Sequence, residues 1–268
     1  MLRGFYTAAS GMIAQQRQQE ALSNNIANAN TPGYKADQAT LRAFPELLMQ
    51  QMGKTNVPTA KEFQLPVQNR IGALNTGVYV HEIIPNHQQG DLRETDMTTD
   101  LAIINGSLPD ETGSLFFTVQ DENGEVRYTR NGNFTVDSQG LLVTNEGYYI
   151  LDTDGNSIQT DGMEFTVTGD GVLQVEDGPI IPLGIAYAED VSTLVKEGNG
   201  LFTGEAGEVP AGATYSVQQG ALESSNVDAL QATTQMMESY RMFETNQRVL
   251  KAYDESMGKA VNEVGRLG

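Results

Sequence analysis

Hydrophobic and polar positions follow two different periods along this chain. From Arg3 to Asn28 there is no proline, Gly11 is the one glycine away from the ends, and strong helix formers dominate. This predicts a helix. Its positions Leu2, Phe5, Ala9, Met12, Gln16, Gln19, Ser23 and Ile26 recur at the 3-4 spacing of a heptad seam that is half polar. Thr31-Pro32-Gly33 ends it, because the residue before proline avoids the helical region and glycine accepts positive φ. Residues 226–265 carry the longest periodic signal: Met236, Tyr240, Phe243, Gln247, Leu250, Asp254, Met257, Val261 and Val264, with Ser224, Ser225 or Asn226 available as a cap. At 1.5 Å per residue this second helix is about 60 Å long, more than the rest of a compact domain can cover.

Between the helices the texture changes. Residues 78–217 are rich in Val, Ile, Thr, Phe and Tyr in short runs, broken by turn pairs from Asn123-Gly124 to Asp177-Gly178 whose glycines stand seven to nine residues apart. One short strand plus one tight turn fits each interval, so the region reads as antiparallel hairpins. Residues 38–77 read as a short helix starting near Pro45 and running to Met52, then an extended connection from Gly53 to Gly77. The expected fold is mainly β with long terminal α-helices. A β-rich central domain of antiparallel hairpins is inserted between N- and C-terminal helices that pair in coiled-coil manner. The divisions fall at 1–37, 38–77, 78–217 and 218–268.

Charge sharpens this picture. The chain of 268 residues carries a net charge of −19, but residues 71–220 hold four basic against twenty-four acidic side chains. Such a segment repels nucleic acid and anionic lipid, so no nucleic-acid partner is expected. No cysteine is present, which removes disulfides and thiol chemistry. Met1-Leu2-Arg3-Gly4-Phe5 lacks the apolar run of a cleaved secretory signal, and no apolar stretch reaches the ~20 residues of a membrane span. Export by another route and no direct membrane insertion are the expectations.

Candidate chemistry is sparse. Asp152-Thr153-Asp154-Gly155-Asn156 resembles the start of a calcium loop, but its sixth and twelfth positions are Ser157 and Met163 where Gly and Glu are needed. Asp and Asn serving hairpin turns is the simpler reading. His81 and His87, the only histidines, make a poor zinc pair. No nucleophile elbow or phosphate-binding glycine loop accompanies them. Neither an enzyme nor a cofactor is expected. Packing on the β region is the ordinary use of apolar helix stripes, but here both termini carry them and the β region lies wholly between.

The stretch Ala21-Leu22-Ser23-Asn24-Asn25-Ile26-Ala27-Asn28-Ala29-Asn30-Thr31-Pro32-Gly33-Tyr34-Lys35 resembles the N-terminal signature of the bacterial flagellar rod and hook proteins. Gly220-Ala221-Leu222-Glu223-Ser224-Ser225-Asn226-Val227-Asp228, followed by Met236-Met237, Arg241, Phe243-Glu244 and Asn246, is similar to that family's other terminal signature. Thr99-Asp100-Leu101-Ala102-Ile103, Tyr128-Thr129-Arg130-Asn131-Gly132-Asn133-Phe134, Gly140-Leu141-Leu142-Val143-Thr144 and Gly198-Asn199-Gly200-Leu201-Phe202 resemble motifs between them. The chain departs from the family where Asn105 to Ser114 intervenes before Leu115-Phe116-Phe117, and where Tyr240-Arg241-Met242-Phe243 and Gln231-Ala232 replace the usual residues. Phe44-Pro45-Glu46-Leu47-Leu48 looks more like rod proteins of Gram-positive bacteria, and the length suits a distal-rod type.

The resemblance implies a structural subunit of the flagellar basal-body rod in the cell envelope, exported unfolded through the flagellar type III apparatus. Its partners would be other copies of itself and neighbouring rod and hook proteins. Assembly contacts are expected from Phe5, Met12, Asn24, Asn25, Ile26, Asn28, Asn30, Pro32, Gly33 and Tyr34 at one end and Asn226, Val227, Asp228, Met236, Tyr240, Arg241, Phe243, Asn246 and Leu250 at the other. The polar seam positions Gln16, Gln19, Gln247 and Asp254 should keep the isolated subunit monomeric. The alternatives are a secreted β-rich protein that binds or cleaves cell-wall glycan, and a capping or scaffold protein that leaves the finished structure.

Overall fold

A computed structural model describes residues 2–57, 63–110, 112–162, 164–175 and 178–264. Met163, Asp177 and residues 58–62 of the expected connection therefore lie outside the described residues. Helix α1 spans Leu2–Ala27 and helix α2 spans Ala229–Lys259, continued by a π-helical turn Ala260–Val264. No helix among the described residues is long and apolar enough to cross a membrane. The residue that caps α2 is Asp228, not the serines or Asn226. Its Oδ1 accepts from the amides of Leu230 at 2.9 Å and Gln231 at 3.0 Å, the second and third helical positions that a cap serves.

The chain divides into two units, a terminal one of Met1–Ser23, Ala39–Ile83 and Thr233–Gly268 and a central one of Asn24–Gln38 and Ile84–Ala232. The central unit is built on an eight-stranded antiparallel sheet whose middle strand is Ser114–Gln120. That strand pairs with Val126–Thr129 and with Tyr149–Ile150, and Ile185–Ala188 also pairs with it. Its period of two sends Leu115, Phe117 and Val119 into the main core and Phe116 into a second cluster with Ala188, Leu194 and Phe202. The rings of Phe117 and Phe134 meet edge to face at 5.1 Å. Each such buried aromatic contributes roughly 2–3 kcal/mol through area removed from water.

Three turns of this unit share one device. Asp121, Asp137 and Asp152 each precede a glycine by three residues, and each Oδ1 accepts two backbone amides within its own turn at 2.8–3.0 Å. Gly124, Gly140 and Gly155 take φ of 83°, 81° and 83°. Three of the acidic residues thus serve turn chemistry, the reading preferred above for Asp152. A three-stranded sheet (Phe165–Val167, Val172–Val175, Ile180–Pro182) and the pairs Tyr215–Gln219 with Leu101–Asn105 and Ala221–Glu223 with Leu92–Glu94 complete the unit.

In the terminal unit, the short helix expected from Pro45 is absent. Leu47–Val57 is a strand, paired antiparallel with Phe63–Leu74 and interrupted by a bulge between Met49 and Gln50. Good helix formers in Leu47-Leu48-Met49-Gln50-Gln51-Met52 are overridden by an antiparallel partner strand along one edge. Asp37–Ala43 pairs with Val78–Pro85, and the rings of Phe44 and Tyr79 lie 5.1 Å apart.

The two helices touch within this unit, running in opposite directions. The Ser239 hydroxyl donates to the Gln15 carbonyl at 3.1 Å, Gly11 lies against Asn246, and a methyl at Gly4 would overlap the Tyr253 hydroxyl. Gly4, Gly11 and Gln15, and Ser239, Asn246 and Tyr253, each stand one position before Phe5, Met12, Gln16, Tyr240, Gln247 and Asp254 of the expected seam. At Gly4 and Gly11 the α2 side chains Tyr253 and Asn246 occupy space that a larger residue would need.

Candidate functional site

The residues that resemble terminal signatures meet in the central unit around three charges. Lys35, Arg130 and Glu223 are 1%, 2% and 2% exposed. Glu223 lies on the strand Ala221–Glu223, Arg130 directly follows the strand Val126–Thr129, and Lys35 follows the Pro32-Gly33 turn. Lys35 Nζ donates to Glu223 Oε1 at 2.6 Å and to the Gln88 carbonyl at 2.8 Å. Arg130 Nε donates to Glu223 Oε2 at 2.5 Å, while its other nitrogens reach the carbonyls of Leu115 and Ile103 and Asn105 Oδ1. The Gly90 amide adds a further bond to Glu223 Oε1 at 2.9 Å. Burial by itself pushes the Glu223 carboxyl up, but Arg130 and then Lys35 outweigh it and hold the group below the usual carboxylate range. Burial lowers Lys35, with Glu223 opposing and Arg130 reinforcing.

A second layer joins the same segments through amides. Asn226 Oδ1 accepts the Ala36 amide at 2.8 Å, and its Nδ2 donates to the carbonyls of Asn86 and Gln88. Asn25 is 5% exposed. Its Oδ1 accepts from the Asp37 amide at 2.8 Å and the Tyr34 hydroxyl at 3.1 Å, and its Nδ2 returns a bond to the Asp37 carbonyl. Burial, then Asp37, raises Tyr34 well above the usual phenol value. Lys196 bonds Asp37 at 2.9 Å and stands 3.9 Å over the Tyr34 ring. Gly33 donates its amide to the Glu223 carbonyl at 2.8 Å and has φ of 68°. A side chain there would overlap the backbone of Arg130 and Asn131, so both conformation and space demand glycine.

The asparagine run therefore does separate jobs. Asn28 Nδ2 donates to the Asn24 carbonyl at 2.9 Å, a second bond to a group that already accepts the Asn28 backbone amide at 3.0 Å, while its Oδ1 accepts from Thr31. Asn25 locks the loop that follows. Asn24 and Asn30 are exposed, and Ile26, Pro32 and Val227 are half-buried.

His87 sits beside this cluster, its ring 5.7 Å from Phe116 and 5.2 Å from Phe202. Neither ring nitrogen has a hydrogen-bond partner. Burial first, then the charges of Lys35, Lys196 and Arg130, push its pKa down to about 4. The imidazole packs against the rings of Phe116 and Phe202. Among the described residues no group of three or more His, Asp or Glu is placed to hold a metal ion.

In the terminal unit the expected residues separate by exposure. Phe5, Met12, Met236, Phe243, Asn246 and Leu250 are half-buried. Tyr240 is 61% exposed and Arg241 is exposed as well. Gln19, Thr233, Met236, Met237, Tyr240 and Arg241 line an open, mostly apolar groove of about 420 Å³. Lys35, Arg130, Glu223 and Lys196 were missed as site residues. For three of them the available signal was a charge inside a motif, Lys35 after Pro-Gly-Tyr, Arg130 before Asn-Gly and Glu223 after Ala-Leu, while Lys196 lies outside the motifs.

These motif regions coincide with family boundaries. The model described as "Flagella basal body rod protein" matches residues 5–35, "Flagellar hook protein FlgE/F/G D1 domain" matches 112–175, and "Flagellar basal body rod FlgEFG protein C-terminal" matches 218–263. The chain is 43% identical to the flagellar hook-basal body complex protein FlhO of Bacillus subtilis over 279 aligned residues, covering 100% of both chains. It is 34% identical to the flagellar basal-body rod protein FlgG of Agrobacterium fabrum, covering 95% of this chain and 96% of that one. Against the flagellar basal-body rod protein FlgF of Caulobacter vibrioides the identity is 30%, with both chains fully covered. Lys35, Glu223 and Arg130 thus tie together stretches from all three matched regions, and the chain belongs to the flagellar hook-basal body rod protein family, whose members are structural proteins rather than enzymes.

Proposed function

We propose that this chain is a structural subunit of the flagellar basal-body rod, exported by the flagellar type III apparatus and built into a helical tube through α1 and α2. The two helices pair as a coiled coil, and further copies or neighbouring rod and hook proteins pack on their outer faces. The residues named above as assembly contacts divide accordingly. Tyr240 and Arg241, with Asn24 and Asn30, face neighbours, whereas Asn25, Asn28, Gly33, Tyr34 and Asn226 hold the subunit's own loop in shape. In this arrangement residues 78–217 form the outer layer, where their acidity costs little.

The observation that carries the reading is the exposure of large apolar side chains along both helices, Tyr6 at 65%, Ile13 at 56%, Met237 at 54% and Met242 at 55%, in a chain of this family. A subunit that worked alone would gain nothing from that surface. Immunodetection of the chain in isolated hook-basal bodies, together with the motility of a strain lacking residues 226–268, tests the proposal. The chain should co-purify with the basal body and the strain should not swim. Normal swimming overturns the reading.

A further inference from the structure

Helix α1 has an exposed stripe with a seven-residue step: Tyr6, Ile13 and Glu20. Glu20 is the only acidic residue in α1. Helix α2 has a matching stripe in Arg241, Met242 and Val249, with Met242 at 55% and Val249 at 39% exposure. Arg241 makes no ion pair among the described residues, and the nearby Glu244 is already held by Arg248 at 2.6 Å. Glu20 likewise forms no ion pair there and accepts only a 3.3 Å bond from Gln16.

We propose that α1 of one copy docks its Tyr6-Ile13-Glu20 stripe antiparallel along the Arg241-Met242-Val249 stripe of α2 in a second copy of this chain. This rests on the reading of the chain as a self-assembling subunit and names the faces that mate. Each stripe advances about 10 Å per seven residues, so one register that sets Glu20 against Arg241 and Met242 also sets Ile13 against Val249. Apolar contact supplies the attraction. The single charge pair, weak by itself at an exposed site, fixes the register and disfavours shifted ones. A second copy is the occupant because one chain carries both complementary stripes on different helices. Such a contact is heterologous and continues from copy to copy instead of closing a pair. The antiparallel sense also suits a polar tube, since α1 and α2 already oppose each other within a copy and every copy then points the same way.

Two experiments on the full chain test this. The sequence holds no cysteine, so Ile13→Cys and Val249→Cys placed together in one chain give a clean cross-linking pair. Hook-basal bodies isolated under oxidising conditions should show a ladder of dimers, trimers and higher species that collapses on reduction. Monomer alone, dimers that go no further, or cross-links to a different protein would each overturn the proposal. In the second experiment, Glu20→Arg and Arg241→Glu should each lower the yield of basal bodies containing the chain by about tenfold, and the double variant should recover to within about twofold of the parent. Equal loss in the double variant, with circular dichroism and melting unchanged, overturns the pairing. If the unaltered chain is missing from basal bodies the rod reading itself falls, whereas its presence there without ladder or rescue defeats only the docking.

Discussion

The two units invert the usual placement of residues in opposite ways. The central unit buries charge and amides, with Lys35, Arg130, Glu223 and Asn25 nearly inaccessible and each bonded. The terminal unit leaves apolar side chains in water, from Tyr6 and Ile13 on α1 to Tyr240 and Met242 on α2. Buried polar groups with every partner supplied specify one arrangement of one chain. Exposed apolar groups along a helix face leave surface that a partner can cover. The central unit also exposes single apolar side chains, among them Ile180 at 66% and Val195 at 62%, so the contrast between the units lies in the buried charge cluster that, among the described residues, only the central one has.

Breaking the central cluster should cost most. Glu223→Ala leaves Lys35 and Arg130 buried without their carboxylate, and a loss of about 3–5 kcal/mol in unfolding free energy is expected by denaturant titration. A loss below about 1 kcal/mol would show that water enters and solvates the cations.

The pH dependence comes next. His87 titrates near 6.5 when unfolded and near 4 when folded, so the unfolded chain binds the extra proton first. The stability it contributes is complete above pH 6.5 and declines as pH falls toward 4, by about 2–3 kcal/mol in all. Glu223, whose folded pKa is depressed, adds a further decline below the unfolded glutamate value of 4.5. His87→Phe should flatten the melting-temperature profile between pH 6.5 and 4 and leave the lower limb.

Within the terminal unit, Ser239→Ala removes the hydroxyl bond to the Gln15 carbonyl and should cost about 1 kcal/mol. The smallest effect on the isolated protein belongs to Tyr240→Ser, expected within about 0.5 kcal/mol of the parent because the side chain is exposed. The same variant should impair incorporation into basal bodies. A large destabilisation of the monomer by Tyr240→Ser would erase the contrast between the units.

Much of this was legible in the chain. Both terminal helices were, because their periods run long and have clear stops. The hairpin turns were, because Asp and Gly at fixed offsets have a direct mechanical use, as at Asp121, Asp137 and Asp152. Three things were not. Leu47–Val57 reads as helix locally, and only its pairing with Phe63–Leu74 decides otherwise. The helix contacts Gln15–Ser239, Gly11–Asn246 and Gly4–Tyr253 lie one position from the heptad seam, at small and polar residues that the spacing of large apolar positions does not mark. The charge cluster was hidden for another reason: each of its members is ordinary until three distant segments meet. The signature motifs marked where to look, but resemblance alone does not distinguish a residue that touches a neighbour from one that holds its own loop, as Asn25 does.

The bond between Lys35 and Glu223 spans 188 positions of the chain. The N-terminal signature has local bonds in Asn25 with Tyr34 and Asp37, but the counter-charge of Lys35 arrives only with the last fifth of the polypeptide. Closure must wait for a long loop to be paid out, which makes the final structure slow to form by topology. Glu223 thus couples the shape of the N-terminal signature to a strand that lies near the other end of the sequence.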